Sequence, residues 1–268
     1  MAIITISTSE ELDSFMRGTL GSSGDFFNLT ADINMTGYSY MNGPFYSGFT
    51  GIFDGGNYVI DNLTIDGSDD FTGFFPQLTG TLRSITFQYI SITNHSVNTN
   101  TGTGIAGFFG SGGMILNVNV MGNSLITASC QRIGAVAGNI FGGQFSGTIL
   151  VGNETQAPTV TGSQIFAGGL AGFWGDGLLN CDAINYAIVS SVNAEAQFVG
   201  GIAGAIQSVP FVAGSRLINH GPVSGSAYVG GLFGNYSVIH SNSLFHQVLC
   251  PAHKPLTHIG LMLRIYGC

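Results

Sequence analysis

The chain has 268 residues and a formal net charge of −8, and only 7% of its residues are charged. An ordinary soluble domain is about a quarter charged, so this chain must stay in solution through hydroxyl and amide side chains. Only six residues are Lys or Arg, which argues against a nucleic-acid partner, because phosphate contacts need clustered basic residues. Apolar runs are only a few residues long, so we expect no membrane insertion.

The first residues predict a short capping helix. Thr8 is a suitable N-cap and Glu11 its capping-box partner. Three apolar residues then share one helix face: Leu12, Phe15 and Met16. Gly18 or Gly21 would end the helix. We expect this segment, residues 1–24, to contribute a strand and a helix that cover one end of the structure that follows. It has no basic region followed by an apolar core, so it does not predict a secretory signal.

A short glycine-rich segment recurs seven times along the chain. The copies are FTGIF (49–53), FTGFF (71–75), GTGIAGFF (102–109), RIGAVAG (132–138), AGGLAGFW (167–174), VGGIAGAI (199–206) and VGGLFGNY (229–236). Aligned on one structural glycine, they give Gly51, Gly73, Gly104, Gly134, Gly169, Gly201 and Gly231. Most copies are about 30 residues apart, and the irregular steps indicate that insertions fall in loops around a fixed motif.

Alternating apolar and polar residues fill the segments between these motifs. The segments are 57–67, 81–94, 114–127, 144–153, 178–190 and 215–225. In 81–94 the predicted inward residues are Leu82, Ile85, Phe87, Ile90 and Ile92. In 114–120 we expect Leu116, Val118 and Val120 to keep the period while Ile115 departs from it. A period of two with β-branched residues predicts half-buried strands.

Each unit therefore consists of a glycine-rich strand, a turn, an alternating strand and a variable loop. One unit cannot bury its own apolar face, whereas stacked units bury it and pair each backbone with the next. The pattern predicts an all-β fold, a right-handed single-stranded parallel β-helix of the pectin-lyase-like type, with about seven coils over residues 25–236. We expect most of the aromatic residues that follow the glycines to form an internal ladder of stacked rings: Phe53, Phe74, Phe75, Phe108, Phe109, Phe141, Phe173, Trp174 and Phe233.

The segments GGLAG, GGIAG and GGLFG resemble the GLUG motif of adhesin-type bacterial surface proteins. The opening of the chain is similar as well, with ISTSEELDSFMRG, FFNLTADINMTG and FTGIFDGGNYVIDNLTI in succession. The resemblance covers about residues 5–236. It implies a parallel β-helix that works outside the cell, often in adhesion, and it brings no catalytic residues to this chain.

An acidic cluster is the one region that suggests catalysis. It comprises Asp54, Asp61, Asp66, Asp69 and Asp70. β-Helix polysaccharide lyases and hydrolases use neighbouring carboxylates for calcium or for acid–base chemistry, and Arg83 would be the nearest basic group. Asp54, Asp61 and Asp66 are the candidate catalytic residues if the chain is an enzyme. The other interpretation is that these residues occupy turns, since Asp54-Gly and Asp66-Gly are turn signals.

The last segment, residues 237–268, differs abruptly in composition from the repeats. It carries potential zinc ligands, whose spacing matches no familiar zinc motif: His240, His246, Cys250, His253 and His258. We expect a C-terminal cap or a docking segment here, and no metal site. Cys250 and Cys268 could pair, whereas Cys130 and Cys181 fall within repeats as small core residues. No phosphate-binding loop is present, and we expect no cofactor.

These features together predict a non-enzymatic structural or adhesive module. A rigid solenoid would display loops such as 94–103 and 153–164 on a cell surface, a filament or a virus particle. Its partners would be a protein or glycan on a surface, or further copies of itself. The alternative is a carbohydrate-active enzyme, a lyase or hydrolase, on the same scaffold.

Overall fold

The computed structural model describes residues 1–236, except for positions 46, 163, 193–197, 208–211 and 213, together with residues 248–249. Its strands are parallel and stack into a β-solenoid of about six turns with very little helix. The predicted fold class is therefore confirmed. All of the tail 237–268 except residues 248–249 lies outside the described residues.

The elements in chain order are β1 (Ile3–Ile6), α1 (Ser9–Met16), β2 (Phe26–Leu29), β3 (Ile33–Asn34), β4 (Ser39–Tyr40), β5 (Ile52–Asp54), β6 (Val59–Asp61), β7 (Thr64–Gly67), β8 (Phe71–Thr72), β9 (Phe75–Leu78), β10 (Thr81–Gln88), β11 (Ser91–Asn94), β12 (Gly102–Thr103), β13 (Ala106–Gly110), β14 (Met114–Met121), β15 (Leu125–Ala128), β16 (Arg132–Gly134), β17 (Ala137–Val151), β18 (Thr159–Gly162), β19 (Phe166–Gly168), β20 (Ala171–Asn185), β21 (Ile188–Ser191), β22 (Phe198–Gly200), β23 (Ala203–Ile206), β24 (Arg216–Asn219), β25 (Val223–Ser224), β26 (Tyr228–Gly230), β27 (Phe233–Tyr236) and β28 (Val248–Leu249).

Three parallel sheets run along the solenoid. The long sheet has fifteen strands, with the central order β1-β2-β5-β10-β14-β17-β20-β23-β27 and with β3, β6, β9, β13, β24 and β28 paired beside that path. The seven-stranded sheet has the order β25-β21-β18-β15-β11-β7-β4, and the six-stranded sheet has the order β26-β22-β19-β16-β12-β8. Neighbouring strands thus come from successive units, as the repeat predicted.

The alternation in the strands places the apolar core inside the coil. The five apolar residues predicted to point inward from 81–94 are all buried. The prediction for 114–120 is wrong at one place, because Ile115 is fully buried and Leu116 is only half-buried. Asn117 has a φ of 52°, as does Ser84 at the equivalent place one coil earlier. This left-handed residue bends the strand and shifts by one position which side chains point inward. A regular period of two therefore cannot predict the inward residues on both sides of it.

Glycines let the backbones of neighbouring segments approach closely. The register of the six-stranded sheet pairs Gly134 with Gly168, Gly168 with Gly200, and Gly200 with Gly230. The alignment from sequence is therefore one residue late at its last three members, Gly169, Gly201 and Gly231. Each of those copies contains two adjacent glycines, and only the strand register shows which of them continues the position of Gly134. A Cβ on Gly168 would lie 2.1 Å from the carbonyl oxygen of Ala171, so this position has no room for a side chain.

Gly51 belongs to a different corner of the coil. Ile52 pairs with Thr81, and the backbone N–H of Thr81 donates to the carbonyl oxygen of Gly51. A Cβ on Gly80 would lie 2.1 Å from that same oxygen. Gly51 and Gly80 therefore share one corner, at the start of long-sheet strands. Strand β5, which follows Gly51, takes its own place in the long sheet between β2 and β10, so Gly51 marks the start of a coil at a corner that Gly73 and Gly104 do not share.

The aromatic residues divide into an internal cluster and an outer row, so the predicted single internal ladder is only partly correct. Fully buried rings form the internal cluster, among them Phe53, Phe74, Phe75, Phe109 and Trp174. Many of these pairs meet edge to face, as Phe53 and Phe74 do at 5.3 Å. Phe108, Phe173 and Phe233 are half-buried, and Phe141 is 40% exposed.

Helix α1 closes the first end of the core. Thr8 and Glu11 form the predicted capping box, and the helix ends at Met16 with Arg17 as its C-cap. Phe15 is fully buried, and its ring lies 4.8 Å from that of Phe27. Among the described residues, no helix is long and apolar enough to cross a membrane.

We expect Gly168→Ala to lower the free energy of unfolding by about 1–3 kcal/mol, because the added methyl meets backbone that cannot move aside. Gly24→Ala is the matched control, since the closest atom to a Cβ there is Thr50 Oγ1 at 3.5 Å. The control should change stability by less than about 0.5 kcal/mol. Urea unfolding followed by circular dichroism measures both, and equal stability of the two variants would contradict the close contact at Gly168.

The two described cysteines should resist alkylation in the native state. Cys130 and Cys181 are buried as predicted, and burial raises the pKa of both thiols, that of Cys181 to about 12. Only the thiolate reacts readily. Peptide mass spectrometry after iodoacetamide treatment at pH 8 should show both unlabelled in buffer and labelled in urea. Labelling of either in native buffer would show that the coil opens locally.

Candidate functional site

The acidic cluster is dispersed over the coil. Asp54 lies in β5 and accepts hydrogen bonds from Arg83, with Nε at 2.8 Å and Nη2 at 2.7 Å from Oδ2. Arg83 is therefore next to an acidic residue, as the sequence predicted. The pair is partly exposed on the long sheet, where Arg83 is aligned with Asp54 in the neighbouring strand.

The other candidate carboxylates lie elsewhere. Asp61 is in β6, beyond the turn that follows β5, and its Oδ1 is buried without a hydrogen-bond partner. Asp66 is in the seven-stranded sheet, with Oδ1 2.7 Å from Nε2 of His95. Asp69 and Asp70 are exposed in the connection after β7, where they accept hydrogen bonds from Asn42 and Asn98 respectively. The three candidate catalytic residues thus occupy three strands in two sheets.

Over the described part of the chain, no group of three or more His, Cys, Asp or Glu side chains could hold a metal ion. The potential zinc ligands of the tail lie outside the described residues: His240, His246, Cys250, His253 and His258. The pairing of Cys250 with Cys268 also lies outside them.

A column of hydroxyl groups runs along the outer face of the seven-stranded sheet. Successive coils place Thr93, Thr127, Thr161 and Ser190 in register. Their oxygens are linked in pairs, with 3.2 Å between Thr93 and Thr127 and 3.0 Å between Thr161 and Ser190. A parallel ladder spaces such side chains about 4.8 Å apart, so the column offers a regular array of donors and acceptors.

A groove of about 280 Å³ lies over this column. Its floor includes Thr93, Thr127 and Thr161, and its walls include His95 and Val192. The stretches predicted to be display loops, 94–103 and 153–164, each contribute residues to its lining, whereas the row of threonines was not predicted. The signal was present in the sequence: a hydroxyl residue recurs at one outward position of ISITN, LITA and TVTG.

The two loops also contact each other. Gln164, in the second loop, donates from Nε2 to the carbonyl oxygen of Val97 in the first, at 3.3 Å. Residues 95–101 connect the seven-stranded sheet to the six-stranded sheet, and Gln164 lies in the short connection from β18 to β19 between the same two sheets. The stretch 153–164 is therefore not one loop as predicted, because it contains β18, and its first part joins the long sheet to β18.

The outer aromatic row follows the junction between the six-stranded and long sheets. Its rings are Phe71, Phe108, Phe141, Phe173, Phe166, Phe198 and Tyr228, and consecutive rings have centroids 4.8–6.3 Å apart. Strands β19 and β20 fold back on each other at Gly168, so their outward rings, Phe166 and Phe173, meet at 5.3 Å. Three of the six consecutive pairs are stacked and the other three are tilted.

Two further ion pairs stand on the surface. Arg216 holds the pKa of Asp182 below its usual value through hydrogen bonds, and Arg17 does the same for Asp13. Both arginines are largely exposed, so each pair adds little stability. These pairs lie outside the groove and assign no chemistry to it.

Comparison with known proteins supports the fold. No protein-family model matches the chain, and no curated protein does. Among solved structures, the chain is similar to one described as a "putative immunoglobulin A1 protease" from Bacteroides ovatus, with a TM-score of 0.59 and 23% identity over 96% of this chain and 81% of the other. Identity at this level shows that the two chains share a β-solenoid fold, and it assigns no activity to this one.

Proposed function

We propose that the chain is a non-catalytic binding module, a rigid β-solenoid that holds a glycan in the groove over its hydroxyl column. The observation that carries the proposal is the placing of three threonine hydroxyls from three successive coils on the floor of one groove. A hydroxyl can donate one hydrogen bond and accept two. Sugar hydroxyls have the same capacity, so the two surfaces can pair without leaving a hydrogen-bond donor or acceptor unsatisfied.

The size of the groove favours a ligand that places one small unit in it. Pockets for drug-sized ligands measure about 300–1,000 Å³, and this groove falls just below that range. It fits one sugar-sized unit, and the column continues beyond it to Ser190, which lets a chain of sugars extend along the solenoid axis. His95 and Val192 provide a polar and an apolar wall.

The scaffold suits adhesion. Its backbone is fixed by parallel pairing on both sides of almost every coil, whereas the loops beside the groove differ in length between units. Specificity can therefore change without loss of the fold. With the resemblance to GLUG-motif proteins, this supports a place on a cell surface, a filament or a virus particle, where the module would bind a surface glycan or assemble with neighbouring copies.

Thr127→Val should weaken glycan binding by up to about tenfold, because it removes a hydroxyl from the floor and keeps the shape of the side chain. A glycan array identifies the best ligand, and calorimetry then gives the dissociation constants. Thr148→Val is the matched control, since Thr148 is exposed on the long sheet.

The control should bind as the unsubstituted chain does. Equal affinity of both variants, or no glycan bound by the unsubstituted chain, would count against the groove as the binding site.

A carbohydrate-active enzyme is the second candidate, and the Asp54–Arg83 pair favours it because lyases need a basic group beside a carboxylate. The name of the Bacteroides ovatus protein adds immunoglobulin A1 to the substrates worth testing. Our proposal expects no cleavage of a polysaccharide panel or of immunoglobulin A1. Cleavage that Asp54→Asn abolishes and Asp182→Asn retains would establish the enzyme instead.

A further inference from the structure

Arg132 occupies an unusual place in the outer aromatic row. It pairs in the six-stranded sheet with Phe166, and the same column continues through Phe198 to Tyr228. Only 9% of Arg132 is exposed. Its guanidinium carbon lies 5.0 Å from the ring centroid of Phe173 and 6.0 Å from that of Phe166. A charged group thus stands where the three following coils have an aromatic ring, whereas the preceding coil has Gly102 at this position.

This guanidinium has no carboxylate partner among the described residues. The other described arginines each pair with an aspartate: Arg17, Arg83 and Arg216. Arg132 donates from Nη2 to the neutral Oδ1 of Asn100 at 3.2 Å, while its Nε and Nη1 are buried without partners. Burial lowers the pKa of the guanidinium. A buried charge without a counter-charge is costly to the fold.

We propose that Arg132 is an anion-binding site that takes the carboxylate group of a ligand. A planar carboxylate accepts from Nε and one Nη of an arginine together, and this charge-assisted pair is stronger than the bond to a neutral amide. The ligand replaces the oxygen of Asn100 on Nη2 and gives Nε a partner. Phe166 and Phe173 keep water from the pair, which strengthens it.

The side chain that the ligand displaces is on the surface. Asn100 and the three residues before it are exposed, and Asn100 has a φ of 60°. Its amide therefore can turn into solvent without opening the core. Arg132 is not among the residues that line the hydroxyl groove, so this site and the proposed glycan site can be tested separately.

The site should be detected by NMR of the arginine Nε–Hε groups in the full chain. Sodium acetate should shift the Arg132 signal saturably and leave that of Arg216 unchanged, with potassium chloride as the control for ionic strength. Sodium glucuronate and N-acetylglutamate amide distinguish an acidic sugar from an acidic protein side chain, since the true source binds more tightly than acetate. A linear response to all three carboxylates, equal to that of chloride, would overturn the proposal.

Stability gives an independent test. Arg132→Met should not lower the unfolding temperature, because it removes a charge that the fold leaves unpaired. Arg83→Met is the matched control: Arg83 also lies near a ring, that of Phe26 at 5.9 Å, but it pairs with Asp54. The control should unfold at a lower temperature. If the unfolding temperature of Arg132→Met fell as far as that of the control, the guanidinium would be stabilising the fold, and this result would overturn the proposal.

Discussion

The parallel pairing of each coil with the next is the constraint on which the rest of this structure depends. A strand in the middle of the solenoid has backbone partners on both sides, so its place is fixed by the coils before and after it. The corners must then repeat in register, and glycine is required where two backbones meet. At Gly168 and at Gly80 a side chain would come within 2.1 Å of a carbonyl oxygen. The repeated glycines therefore mark the positions at which a side chain would clash with the backbone of a neighbouring segment.

The same pairing also organises the surface. Residues at equivalent positions of successive coils form columns, and each column takes its character from one recurring residue type. The seven-stranded sheet presents hydroxyls, whereas the junction of the six-stranded and long sheets presents rings. The interior shows polar columns too: Asn185 donates to Asn219 at 2.8 Å, and each amide oxygen accepts from a backbone N–H two residues further on. Buried amides of this kind provide hydrogen-bond partners for backbone N–H groups in the turns.

The loops add variation to this regular frame. Insertions between the seven-stranded and six-stranded sheets lie beside the hydroxyl column, and Gln164 joins two of them across one coil. A site built in this way combines a rigid floor with adaptable walls, which is the usual arrangement in binding modules. Charges contribute little to the frame, since Arg17 and Arg216 pair with aspartates in largely exposed positions. The exposed regions therefore differ mainly in shape and hydrogen bonding.

The sequence by itself determined the fold class, the capping box of α1 and most inward residues, because these follow from local periods of two and from repeated motifs. It could not determine which of Gly168 and Gly169 pairs with Gly134, or that Ile115 and not Leu116 is buried. Those outcomes depend on a left-handed residue and on the register with the next coil. The dispersal of Asp54 and Asp66 over two sheets and the groove over Thr127 were likewise decided by the tertiary structure, because the closure of each coil determines which outward positions become neighbours.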